Sequence, residues 1–358
     1  MRLPDSVTVA QLDFFDEVLD VRSPAEYAED HVPGATSCPV LDDDERAEVG
    51  TLHKQASPFE AKKRGAALVA RNIARHVEER FRDKPKEWRP LVYCWRGGKR
   101  SGAMAHVLRE IGWQAAQLEG GYKAYRREVV AQLETLPAHF RYIVVCGETG
   151  SAKSRLLDAL AAAGAQVLDL ERLARHRGSV LGDLPGEPQP AQKGFDTLVW
   201  DRLRRFERDA PVFVEAESKK IGALQVPEGL IREMRAAPCV RLDAPLAERV
   251  RFLIREYGHF LADPARLATQ LGHLEALHGK ETIGRWQSLA AAADWEALVA
   301  DLLASHYDPA YRRSTAKNFS RFGEAPIVTL DSLAPEAIAR AARELLAASH
   351  AAAGATAA

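Results

Sequence analysis

Apolar residues fall in short blocks separated by longer amphipathic stretches, and that alternation predicts strands and helices in turn. Residues 17–22 read as a strand, and Ser23-Pro24-Ala25-Glu26-Tyr27 as a helix start with proline at an early position. His31-Val32-Pro33-Gly34-Ala35 is a turn leading into apolar Cys38-Pro39-Val40, and residues 58–82 form one long amphipathic helical stretch. A buried strand at 90–93 and a helix from Ser101 follow. Residues 117–122 then read as a last strand and a glycine turn, into a helix reaching Leu136. Pro137 marks a hinge, after which a strand at 140–146 opens a second series. Further strands are expected at 166–170, 212–215, 239–242 and 326–330, with helices between them. Such alternation implies an α/β fold with a mostly parallel sheet covered by helices. Residues 263–306 carry only helical periodicity and predict a subdomain, and the alanine-rich tail from Ala351 is expected to be disordered.

A chain of 358 residues is too long for one ordinary core, so two domains are expected: 1–136 and 137–350, the latter with its helical insertion, then a tail at 351–358. The apolar fraction of 46% and charged fraction of 28% are those of a soluble globular protein. No apolar stretch approaches the roughly 20 residues that cross a bilayer, and the first five residues lack the apolar core of a signal peptide. Cys38, Cys94, Cys146 and Cys239 lie far apart without a Cys-x-x-Cys pair, which argues against a disulfide scaffold or zinc site and for a reduced cytoplasm. A net charge of −1 excludes indiscriminate coating of nucleic acid but leaves room for a local basic surface that docks one folded RNA.

Chemistry concentrates first in Cys94-Trp95-Arg96-Gly97-Gly98-Lys99-Arg100-Ser101. A cysteine ending a strand, followed by a glycine loop curling into a helix with Ser101 near its N-cap, sits among inward-pointing N–H groups. Those donors, the helix dipole and Arg96, Lys99 and Arg100 favour thiolate over thiol and hold an anion beside it.

The second concentration is Gly147-Glu148-Thr149-Gly150-Ser151-Ala152-Lys153-Ser154, between a strand and a helix. It matches the phosphate-binding loop G-x-x-x-x-G-K-[ST] in context and spacing, except that Ala152 stands where the pattern has glycine. A β-carbon there crowds phosphate or strains the backbone, so phosphate or diphosphate binding is expected ahead of ordinary ATP hydrolysis. The strand at 212–215 runs into Ala216-Glu217, and either Glu215 or Glu217 could serve near Mg²⁺ or an attacking group. A polar connection, His176-Arg177-Gly178-Ser179 and then residues 189–195 with Lys193, reads either as a functional loop over the phosphate site or as a solvent loop. Basic groups cluster at Arg202, Arg204 and Arg205, at Lys219 and Lys220, and at Arg249, Arg251 and Arg255. Tyr311-Arg312-Arg313 mixes aromatic and basic character suited to single-stranded RNA. Arg177, Lys193, Arg249, Arg251, Tyr311 and Arg312 are thus candidates for RNA or phosphate contact.

The first domain resembles the rhodanese family in Leu19-Asp20-Val21-Arg22, in Asp30-His31-Val32-Pro33-Gly34-Ala35 and in the Cys94 loop. A rhodanese domain followed by a P-loop domain, with Cys-Trp-Arg-Gly-Gly-x-Arg-Ser, Gln-Pro-x-Gln-Lys, Val-Glu-Ala-Glu-Ser and His-Tyr-Asp-Pro-x-Tyr in order, resembles the bacterial tRNA 2-selenouridine synthase family over nearly the whole chain. That resemblance implies an N-terminal rhodanese-like α/β domain and a P-loop NTPase-like parallel-sheet domain with a helical subdomain. It implies a tRNA substrate carrying a wobble 2-thiouridine, with geranyl diphosphate and selenophosphate as co-substrates and a selenophosphate supplier as a candidate partner. Rhodaneses carry sulfur or selenium on the loop cysteine, so Cys94 inherits the role of nucleophile and chalcogen carrier. The resemblance implies no permanent cofactor and no certain metal, with Mg²⁺ a candidate. Two other readings fit the motifs: a rhodanese-type sulfurtransferase fused to a nucleotide-dependent kinase with no RNA role, and a nucleotide-gated binding module in which Cys94 is dispensable.

Overall fold

The computed structural model describes residues 4–179, 181–261 and 263–356, so the last two residues of the expected tail lie outside the described residues. The chain forms two compact units, the first made of residues 1–132 and 190–201, the second of 133–189 and 202–358.

The first unit is built on β1 (Ser6–Val7), β2 (Glu17–Asp20), β3 (Thr36–Ser37), β4 (Pro90–Tyr93) and β5 (Ala116–Leu118). Every pairing in the sheet is parallel, in the order β1-β5-β4-β2-β3. Its helices are α1 (Pro24–Glu29), α2 (Asp43–Gln55), α3 (Pro58–Glu79), α4 (Lys99–Ile111) and α5 (Gly121–Thr135). Ser23 caps α1 in a capping box with Glu26, and Ser57 caps α3, each with proline at the first helical position. Leu19, Val92, Met104, Leu108 and Trp113 pack a core directly behind the Cys94 loop.

In the second unit come β6 (Tyr142–Gly147), α6 (Lys153–Ala162), β7 (Gln166–Leu168) and α7 (Leu170–Ala174). Next in the chain is α8 (Gln192–Leu203), whose residues up to 201 make their contacts in the first unit. There Trp200 packs edge-on against Tyr125, and the Thr197 hydroxyl donates to Asp30 at 3.1 Å. The second unit continues with β8 (Val212–Glu215), a small antiparallel hairpin of β9 (Lys220–Ile221) and β10 (Leu224–Gln225), then α9 (Glu228–Ala236) and β11 (Cys239–Asp243). A helical stretch follows: α10 (Leu246–Glu256), α11 (Gly258–Leu261), α12 (Pro264–Gly272), α13 (Glu275–Ala291), α14 (Trp295–Leu302) and α15 (Asp308–Asn318). β12 (Ile327–Thr329) and α16 (Pro335–Thr356) complete it.

The second sheet is also wholly parallel, ordered β12-β11-β6-β8-β7, so β6 lies centrally and delivers its following loop at the carboxyl edge. The α/β class expected from the alternation therefore holds in both halves. α16 runs on to Thr356, past Ala351, where the sequence predicts disorder; consecutive alanines favour helix even without an apolar stripe.

Candidate functional sites

In the first unit β4 ends one residue before Cys94, and the loop Trp95–Gly98 brings the chain round to α4. Gly97 has φ +62, and a β-carbon on it would lie 2.6 Å from the Leu118 carbonyl. A β-carbon on Gly121 would sit 2.2 Å from the Cys94 carbonyl, so both glycines are required by close backbone approach. The Cys94 carbonyl accepts from Tyr122 N–H at 2.8 Å, and Trp95 stacks on the Tyr122 ring. Beneath the loop Arg22 is fully buried, donating to Asp20 and lying 3.9 Å over the Tyr122 ring. Asp20 also accepts from Tyr93 at 2.6 Å. The Leu-Asp-Val-Arg motif therefore holds the floor of the loop rather than reaching its sulfur.

Cys94 is only 4% exposed, and its Sγ accepts from the Gly98 N–H at 3.3 Å and from the Ser101 hydroxyl at 3.1 Å. Burial pushes the thiol up, but the Ser101 and Gly98 donors and the Arg100 charge outweigh it and hold Cys94 below the ordinary thiol value. Burial dominates at Cys38, whose thiol is pushed up to about 11. The helix begins at Lys99 with Gly98 at its cap, so Ser101 lies inside the first turn, and its hydroxyl reaches both Cys94 Sγ at 3.1 Å and the Gly98 carbonyl at 3.3 Å. Gln117, which no local pattern singles out, braces the loop by donating to Gly97 O at 2.6 Å and Ser101 Oγ at 2.8 Å. Arg96 and Lys99 are exposed, while Arg100 is half-buried and pairs with Glu26 at 3.1 Å.

In the second unit residues 147–154 join β6 to α6. Ala152 adopts the left-handed conformation, φ +63 and ψ +32, that the motif reserves for glycine. Such a conformation costs an L-residue about 1–2 kcal/mol. Lys153 Nζ donates to the Gly147 carbonyl at 2.7 Å and lies 5.2 Å from the centre of the Tyr311 ring, whose hydroxyl accepts from Gly147 N–H at 2.7 Å. Ser154 donates to Glu171 at 3.1 Å. Ser151 Oγ is buried without a partner among the described residues.

The loop opens onto a cleft of about 560 Å³, lined by Thr149, Lys153, Ser154, Arg177, Glu217 and Tyr311 among others. Behind it Glu215 is buried, one carboxylate oxygen accepting from Glu171 N–H at 2.8 Å and the other without a partner among the described residues. Burial, with Asp169, Glu171 and Glu217 nearby, pushes Glu215 well above the usual carboxylate range. Burial and Glu171 push Glu217 the same way, against the pull of Lys153. Glu171 and Asp169, one strand end away from Glu215, went unremarked in the sequence; the signal was the same acidic strand end, here after β7.

The candidate basic residues do not share one role. Arg249 is buried, donating to the Thr149 carbonyl at 2.9 Å, to Glu148 at 2.6 Å and to Asp308 at 2.5 Å, so it fixes the loop from behind. Arg312 pairs with Glu148 and Arg251 with Glu248, both arginines being exposed. Arg177 lies 4.6 Å over the Tyr257 ring at the cleft wall. Lys193 sits on α8 and pairs with Glu29 at 2.7 Å in the first unit. Residues 192–195 are the start of a helix and not a loop.

Residues 9–128 match the rhodanese-like domain family, and residues 140–278 match the tRNA 2-selenouridine synthase AAA domain. The tRNA 2-selenouridine synthase of Nitrosomonas europaea is 35% identical over 67% of this chain, a match spanning 63% of that protein's own length. The corresponding protein of Aeromonas salmonicida is 36% identical over 73% of this chain and 70% of its own length. That of a Sulfurovum species is 31% identical over 85% of this chain and 90% of its own. With both domains matched in order and the phosphate loop and cysteine loop each in place, the chain belongs to the tRNA 2-selenouridine synthase family.

Proposed function

We propose that this protein replaces the 2-thio sulfur of a tRNA wobble uridine with selenium in two steps. The observation that carries the reading is the presence, on one chain, of a cysteine sulfur held in a nest of donors and a phosphate loop bearing Lys153. In the first step the thiocarbonyl sulfur attacks the allylic carbon of geranyl diphosphate. A C–S bond forms, the C–O bond breaks, and diphosphate leaves with the bonding pair. Lys153 and the backbone donors at the start of α6 stabilise the charge that develops on the diphosphate. S-alkylation makes C2 electrophilic and turns sulfur into a good leaving group. In the second step the selenium of selenophosphate forms a bond to C2 as the geranylthio group departs, and water takes the phosphoryl group. Cys94 is the nucleophile that frees this selenium: its sulfur attacks phosphorus, a P–S bond forms as the P–Se bond breaks, and the water then cleaves that P–S bond and returns the thiol.

Ser154 and Glu171 are the residues that would hold Mg²⁺ against the diphosphate, where the ion would neutralise its charge. The unpartnered oxygen of Glu215 and the surrounding carboxylates support a cation there. Among the described residues no three ligating side chains converge on one point. That suits a cation which keeps its waters and shares phosphate oxygens.

The test is mass spectrometry of wobble nucleosides after incubation of tRNA with both co-substrates. Cys94→Ala is expected to abolish selenation while S-geranyl-tRNA accumulates, and Lys153→Ala to block geranylation. If Cys94→Ala stopped geranylation outright, the assignment of the two steps to two sites would fail.

A further inference from the structure

Beside the phosphate cleft the helical part of the second unit forms a smaller, partly open cavity of about 70 Å³. Its far walls are Phe260 on α11, Leu267 on α12, and Leu298 and Leu302 on α14, all buried in the core of these helices. A void in a core forfeits dispersion contacts and is ordinarily closed by repacking. This one instead adjoins the cleft: Thr149, Ser179, Leu253, Tyr257 and Tyr307 line both. Among the described lining residues, every hydroxyl-bearing side chain of the small cavity (Thr149, Ser179, Tyr257 and Tyr307) stands on that shared wall. Beyond the wall the described lining residues present hydrocarbon and indole.

A phosphate loop opening onto a cleft whose neighbouring cavity is apolar fits one class of ligand, an anionic head carrying a branched hydrocarbon tail. We propose that this cavity receives the far end of the hydrocarbon tail of the allylic diphosphate whose head lies in the loop at residues 147–154. The proposal rests on the geranyl-transfer reading above and adds where the chain goes and what measures its length. A volume of 70 Å³ holds roughly five water-sized groups, about one isoprene unit. The unit next to the diphosphate then lies along Tyr257 and Tyr307, and only the second enters the cavity. A five-carbon tail does not reach it, and a fifteen-carbon tail overfills it.

Val299, half-buried on α14 and part of the lining, tests this in both directions. On the full-length enzyme, KM is measured for dimethylallyl, geranyl and farnesyl diphosphates, with inorganic pyrophosphate as competitive inhibitor. Val299→Trp fills the cavity and is expected to raise the geranyl diphosphate KM about tenfold or more, leaving pyrophosphate inhibition within about twofold. Val299→Ala enlarges it and is expected to raise the farnesyl-to-geranyl ratio of kcat/KM at least about threefold. Intact pyrophosphate inhibition certifies the folded phosphate site, and if Val299→Trp loses it the Val299→Ala ratio decides. An unchanged geranyl KM in Val299→Trp, or an unchanged ratio in Val299→Ala, overturns the assignment. If the wild-type enzyme transferred no prenyl group at all, the transfer reading would fall by itself. The cavity assignment would then be decided by whether geranyl diphosphate binds more tightly than pyrophosphate and loses that advantage in Val299→Trp.

Discussion

Cys94 is pulled two ways: burial favours the neutral thiol, while the Ser101 hydroxyl, the Gly98 N–H and Arg100 favour the thiolate and outweigh it. The Ser101 hydroxyl is the nearest of them at 3.1 Å, so its loss should tell most. Alkylation of Cys94 by iodoacetamide, followed by peptide mass spectrometry across pH, is expected to titrate below the ordinary thiol value of about 8.5. In Ser101→Ala the midpoint is expected to move up; an unmoved midpoint would mean the Gly98 N–H and Arg100 alone set the thiolate. The reactive loop was legible because its chemistry is local, a few residues folding back on one sulfur. Ser101 was placed near the helix start by its position along the chain, but the turn of its hydroxyl toward Sγ was not legible, because a hydroxyl inside the first turn answers to whatever lies opposite. Of the two readings of Ala152, a crowded phosphate or a strained backbone, its positive φ bears on the second, since that φ is dictated by the loop the motif encodes and not by alanine's own preference.

At the scale of elements, β6, β7 and β8 end side by side, and their carboxyl ends gather Asp169, Glu171, Glu215 and Glu217 beside Lys153. Because Glu215 is raised in the folded protein, the native state holds a proton there that the unfolded chain releases near the usual glutamate value of about 4.3. Its contribution therefore leaves stability untouched below that value and subtracts from it as pH rises toward the folded pKa. Glu215→Gln removes the penalty while keeping an acceptor for the Glu171 N–H. Its melting temperature relative to wild type is expected to be level near pH 4 and to rise as the pH is raised above that. A difference that stayed flat with pH would show Glu215 to be ionised throughout. The strands themselves were visible as apolar blocks, yet β1 and β3, two residues each, were not, because no periodicity exists in two positions. α2 was likewise unread: none of its residues is buried, so it has no apolar stripe, and only the Asp42 and Glu45 capping box announces it.

The whole molecule adds what no local pattern carries, a first unit completed by a segment arriving nearly sixty residues after the rest of it ends. Sequence order places residues 190–201 in the second domain, and their apolar positions say only that one helix face is buried, not against what. The structure supplies the partner: Trp200 against Tyr125 and donating to Gln132 at 2.7 Å, Thr197 on Asp30, and Asp196 on Arg126. The cysteines make unit-specific reporters of this arrangement, since Cys38 and Cys94 belong to the first unit, Cys146 and Cys239 to the second, and all four are buried. In the full-length protein under increasing urea, labelling of each cysteine marks the unfolding of its own unit. Trp200→Ala deletes a buried aromatic side chain, a change that ordinarily costs about 3–5 kcal/mol. At a typical urea slope of about 1–3 kcal/mol per molar, that cost is expected to lower the labelling midpoint of Cys38 and Cys94 by roughly 1 M or more. The midpoints of Cys146 and Cys239 are expected to stay where they are. If those two moved instead, residues 190–201 would have to be returned to the second unit, and Lys193 with them.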